Sequence, residues 1–145
     1  MHTVKILIPA LLLLAVISCS KGLPRTPTEA FRMTAAAMEA KDARRLYELM
    51  SKPSREQLVR TSKLAEKMNS AQKGSLEQKG VLPASADAGA ILKAWLEHDE
   101  ADPVLAAFRR SVLIVTEKDG EAEIRVDNGI ELRFVKEGLY WKFAL

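Results

Sequence analysis

A chain of 145 residues with 48% hydrophobic and 28% charged positions falls in the composition range of one ordinary globular domain, which excludes the disordered and fibrous classes. Its 22 Lys and Arg against 19 Asp and Glu give a formal charge of +3, a weak basis for nucleic-acid binding, and the pairs Arg44-Arg45 and Arg109-Arg110 are too short to count as basic patches. No nucleic-acid partner is expected.

The apolar residues are concentrated at the start. Ile6 to Ile17 is a run broken only by Pro9 and alanines, with Lys5 before it, which is the profile of an export signal. At about a dozen residues it falls short of the roughly 20 that a spanning helix needs. The run ends Val16-Ile17-Ser18-Cys19, which resembles the bacterial lipobox. That resemblance implies a thioether-linked lipid on Cys19, cleavage before it and acylation of the new amino group, three chains where one gives only marginal membrane binding. Cys19 is the only cysteine, and an unpaired thiol in an oxidising envelope would be a liability that lipidation removes. The expected organisation is a lipoprotein signal peptide at 1–18, a lipid-attached tether at 19–25 containing Gly22 and Pro24, and a single α+β cone-like domain at 26–145. Removing 1–18 takes away one charge, Lys5, and leaves +2. Ser20 resembles cargo sorted to an outer membrane, so the expected location is the bacterial cell envelope, anchored by lipid to the outer membrane and facing the periplasm.

Thr26-Pro27-Thr28-Glu29 combines an N-cap, Pro at the first helical position and Glu at the third, and predicts a helix to about Ala40 with Phe31, Ala35 and Met38 buried. Asp42 caps a second helix whose apolar face is Ala43, Leu46, Tyr47 and Met50. Ser51, Pro53 and Ser54 stop it. Ser54, with Gln57 in the box position, predicts a third helix carrying Leu58, Ala65 and Met68 that fades near Gln72. Gly74 to Pro83 reads as loop, Ala86 to Glu97 as a helix with Ile91, Ala94 and Trp95 inward, and Asp102-Pro103 as the start of a short helix through Phe108.

From Ser111 the period becomes alternating, with turn pairs Asp119-Gly120, Asn128-Gly129 and Glu137-Gly138, which predicts a four-stranded antiparallel meander. Requiring one apolar face sets the registers. A two-residue loop at Asp119-Gly120 puts Val115 opposite Ile124 and Leu113 opposite Val126. A three-residue loop, Asp127 to Gly129, puts Ile124 opposite Leu132. A two-residue loop at Glu137-Gly138 puts Phe134 opposite Trp141 and Leu132 opposite Phe143. The expected inner face is Leu113, Val115, Ala122, Ile124, Val126, Ile130, Leu132, Phe134, Trp141, Phe143 and Leu145. Glu123, Arg125, Glu131, Arg133 and Lys142 fall on the wet side, while Val112 and Ile114 make the first strand apolar on both faces.

Three segments carry a family likeness: Thr26 to Phe31, Ala40 to Met50, and Leu132 to Phe143, ending Gly138-Leu139-Tyr140-Trp141-Lys142-Phe143. They resemble short bacterial lipoproteins of the nuclear transport factor 2-like superfamily. The resemblance implies a cone, a curved sheet wrapped around N-terminal helices with a cavity between them, here carrying a longer helical insert at 55–108. Its members include enzymes, ligand binders and assembly modules, and these motifs of capping and hairpin chemistry do not choose among them.

Candidate chemistry is sparse. His98 stands among Glu97, Asp99, Glu100 and Asp102, but one histidine without ligand spacing predicts no metal site. The expected inner sheet face carries no ionisable group, so no catalytic set and no cofactor is predicted; Tyr47 and His98 are the helical positions from which a proton-transfer group could come. The expected cavity-lining residues are Phe31, Tyr47, Trp95, Phe134 and Trp141. The expected function is a non-enzymatic envelope lipoprotein, held to the membrane by its lipid, that binds a small apolar ligand or an envelope protein. The alternatives are a cone-type enzyme of isomerase or dehydratase kind and a structural envelope accessory.

Overall fold

The computed structural model describes residues 22–68, 70–78, 87–97 and 102–145. The signal segment, Cys19, the loop stretch 79–83 and His98 with Asp99 and Glu100 lie outside the described residues. Helices and strands are segregated along the chain, the pattern of an α+β domain: α1 (Pro27–Glu39), α2 (Ala43–Leu49), α3 (Lys52–Lys67), α4 (Ser70–Gln78), α5 (Ala88–Glu97), α6 (Pro103–Ala107), β1 (Val112–Lys118), β2 (Glu121–Val126), β3 (Glu131–Glu137) and β4 (Tyr140–Ala144). The strands form one antiparallel sheet in the order β1-β2-β3-β4.

Local chemistry starts the first two helices. The Thr26 hydroxyl accepts from the Glu29 amide at 3.1 Å, and the Glu29 carboxylate reaches back to the Arg25 amide at 2.8 Å. Lys41 ends α1 at φ +52, with Asp42 N–H on Ala37 O and Lys41 N–H on Met38 O, the paired bonds of a Schellman turn. Asp42 then caps α2 through the Arg45 amide at 2.9 Å. The buried stripe of α1 is Ala30, Phe31, Thr34, Ala37 and Met38, and Ala35 lies at its half-buried margin.

Several expectations are corrected. Ser51, not Ser54, is the N-cap of α3, because Ser54 is buried inside the first turn and its hydroxyl pairs with Ser51 and accepts from the Leu145 amide. Helix α4 occupies 74–78, where a loop was expected; Gly74 is tolerated in a helix interior at a cost of about 1 kcal/mol. On α5 the fully buried positions are Leu92 and Leu96, with Ile91, Ala94 and Trp95 half-buried, so the inward face is rotated by about one residue. Asp87 caps this helix through the Ala90 amide at 2.7 Å.

In the sheet, Val115 pairs with Ile124, and the three-residue turn puts Ile124 opposite Leu132, with Gly129 at φ +84. Leu113 does not face Val126. Val112 does, and Leu113 is the extra residue of a bulge, which lets Val112 and Val115 both pair with inner-face partners although three positions separate them. The last hairpin turns at Gly138-Leu139, so Phe134 pairs with Phe143, and Lys136 faces Trp141. Gly138 at φ +64 is the first loop residue, as a type II′ turn demands, and the two-residue slip from the expected register leaves every side chain on its intended face. Of the expected inner face, Leu113, Val115 and Leu145 are exposed; Ala122, Ile124, Val126, Leu132, Phe134, Trp141 and Phe143 are buried against the helices. Lys142, expected in water, is buried on the other side of β4.

Candidate functional site

The space between sheet and helices is occupied by side chains. Phe31 of α1 stacks on Phe108 with ring centroids 5.2 Å apart, Phe108 meets Phe143 edge-on at 5.0 Å and Phe134 at 6.3 Å, and Phe134 lies 5.7 Å from Phe143. Trp141 is buried on the same sheet face. Three of the five residues expected to line a cavity, Phe31, Phe134 and Trp141, thus sit in the packed core. Trp95 is half-buried and donates its indole N–H to Asp102, while the other oxygen of that carboxylate caps α6. Tyr47 is half-buried at the surface, with the Arg55 guanidinium 5.6 Å above its ring, and lines an open groove of about 450 Å³ with Lys52, Glu56, Val59 and Arg60. A second cleft of about 360 Å³ lies between α1, α5 and α6 over Ala35, Met38, Leu96, Leu105 and Phe108, with Glu39 and Arg109 at its polar margin. No group of three His, Cys, Asp or Glu able to hold a metal ion occurs among the described residues.

The two edges of the sheet are treated differently. The β4 edge is covered: the Trp141 amide donates to Pro24 O at 2.9 Å, the Ser51 amide donates to Phe143 O at 2.7 Å, and Met50 forms a parallel bridge to Phe143. Pro24 is itself buried, and Arg45 holds the chain just before it through the Gly22 carbonyl at 2.7 Å. Lys142 completes this closure, donating from Nζ to Glu48 O in the last turn of α2 at 2.6 Å, a carbonyl with no partner inside its own helix. Burial, with Arg55 adding repulsion, holds the Lys142 ammonium below the ordinary lysine range.

The β1 edge is bare. Among the described residues no strand lies outside β1, and Leu113, Ile114 and Val115 are 61%, 50% and 40% exposed. Their sequence, flanked by Val112 and Thr116, is apolar on both faces of the strand, and only Val112 is partly covered. Edge strands ordinarily carry charges, prolines or bulges that discourage pairing; β1 has the bulge at Leu113 and charges only at its far end, Glu117 and Lys118. The apolar character of Val112 and Ile114 was legible in the sequence, as was the edge position that a meander gives its first strand; the bulge at Leu113 and the exposure of Leu113 and Val115 were not.

A scan against protein-family models, a search of curated proteins and a search of solved structures each return no match. The likeness to nuclear transport factor 2-like lipoproteins therefore rests on the three segments that carry it.

Proposed function

We propose that this protein is a lipid-anchored envelope protein whose domain binds a protein partner by strand addition at β1. The observation that carries the reading is an edge left unpaired among the described residues, with three consecutive exposed apolar residues, Leu113, Ile114 and Val115. An extended segment laid along such an edge gains main-chain hydrogen bonds, and side chains at alternate positions supply specificity. The bulge restricts which segments fit, because an incoming strand must accommodate one extra residue opposite its own alternation. Packing of the aromatic cluster in the inner space favours a protein partner over a small apolar ligand taken up between sheet and helices.

Anchoring follows from Cys19. Cys19→Ala should move the protein from the membrane to the soluble fraction, and a native Cys19 free of fatty acid on mass analysis would refute the lipid. The docking surface is tested by placing a photo-crosslinking residue at Ile114 or, as a control, at the exposed Arg133 in intact cells. A discrete adduct at Ile114 that is absent at Arg133 and lost on Val115→Pro is expected. No adduct at Ile114, or equal yields at both positions, would refute strand addition, and an adduct of twice the chain's mass would assign the edge to a second copy.

A further inference from the structure

We infer that the α2 side of the domain rests on anionic lipid headgroups, with Arg25 and Arg44 as the contacting cations; this rests on lipidation of Cys19. The chain leaves the fold at a fixed place, because Gly22 O is bound to the Arg45 guanidinium and Pro24 is buried with its carbonyl on the Trp141 amide. Cys19 is three positions before Gly22, so their Cα atoms are at most about 11 Å apart, since a chain spans about 3.3–3.6 Å per residue when fully extended. A lipid on Cys19 therefore brings the surface around Gly22 to the headgroup layer.

That surface carries Arg25, Arg44 and Arg45 against the carboxylates of Glu29 and Glu48, a surplus of one positive charge. Arg44 and Arg45 both reach the single carboxylate of Glu48, at 3.6 and 3.0 Å, which leaves one positive charge in surplus, and the Arg44 side chain is 92% exposed. Arg25 is exposed beside the buried Pro24, its amide committed to Glu29 and its guanidinium on the surface. Headgroup phosphates are complementary to such a surplus, and confinement by the tether lowers the cost of bringing the two together. The same geometry keeps β1 off the membrane. It is the opposite edge of the sheet from β4, three strand spacings or about 14 Å away, where a protein partner can reach it.

The test uses the full lipidated chain in bilayer nanodiscs of phosphatidylglycerol containing a paramagnetic headgroup lipid, reading the broadening of backbone amide resonances. Amides of α2 are expected to broaden severalfold more than those of β1. The difference should fall severalfold in phosphatidylcholine or in the Arg25→Gln/Arg44→Gln double variant, both sites being exposed and tolerant. Equal broadening of α2 and β1, or broadening unchanged by lipid charge and by the double substitution, overturns the headgroup contact. Maleimide separates this failure from failure of the lipidation reading: a lipidated Cys19 takes up none, whereas a chain that takes up one maleimide carries no thioether and refutes lipidation itself.

Discussion

Asp102 divides its carboxylate between two tasks, and removing it separates them. One oxygen accepts from the Val104 and Leu105 amides at 2.8 and 3.3 Å, and the other accepts the Trp95 indole N–H, which ties α5 to α6. Loss of an N-cap costs about 1 kcal/mol. A hydrogen bond to a charged acceptor contributes about 1.5–3 kcal/mol, taken here at about 1 because Trp95 is half-exposed. Asp102→Ala should thus destabilise by about 2 kcal/mol, and Trp95→Phe, which removes the indole donor and leaves the cap, by about 1 kcal/mol. Urea unfolding followed by far-ultraviolet circular dichroism gives both values and that of the double variant. Because the two residues share one bond, the double variant should cost about 1 kcal/mol less than the sum. Strict additivity would show that the indole bond contributes nothing, and an Asp102→Ala variant as stable as the parent would remove the cap as well.

Trp141→Ala should cost about 3–5 kcal/mol, as for other buried aromatic truncations, whereas Leu139→Ala at the exposed hairpin tip should stay within about 0.5 kcal/mol; a thermal melt that left both variants alike would refute burial of the β4 inner face. Lys142 has its ammonium disfavoured by folding, so the unfolded chain binds more protons between the lowered folded value and the ordinary 10.5, and stability from this group rises as pH climbs through that window. Comparing Lys142→Met with the parent across alkaline pH should show the parent gaining relative to the variant, and parallel curves would contradict the burial. Lys41 occupies the left-handed position of the α1 Schellman turn, which costs a non-glycine residue roughly 1–2 kcal/mol. Lys41→Gly should stabilise by about 0.5–1 kcal/mol after the flexibility it adds to the unfolded chain is subtracted, and a lower denaturation midpoint would count against the strain.

What the sequence disclosed was local. Thr26, Asp42 and Asp102 were readable as caps because each side chain and the amide it satisfies lie within three residues of one another. The inner faces of β2 and β3 were readable because alternation across both strands admits only one register. Errors arose where a distant partner decides. Ser51 and Ser54 are both sound cap residues, and the choice between them is made by Phe143 and Leu145, about 90 positions away. Lys142 reads as a wet strand residue until the end of α2 is laid over it. The expected cavity residues Phe31, Phe134 and Trp141 were correctly read as facing the same interior; whether an interior is hollow or filled depends on Phe108, which joins them from the helical insert. The candidate docking strand lay half in view, its double-sided apolar run and its place at the margin of a meander evident, its bulge and its uncovered face decided by packing.

The closures on β4 span nearly the whole domain in sequence: Pro24 with Trp141, Glu48 with Lys142, Ser51 with Phe143, Ser54 with Leu145. Each links an early segment, in or beside α1 to α3, to β4 or the residue after it, so the helices emerge from the ribosome with their apolar stripes still lacking the surface that buries them. The domain cannot complete its core before β4 has been made. Until β4 arrives, the apolar stripes of α1 and α2 lack the margin of the sheet against which they close.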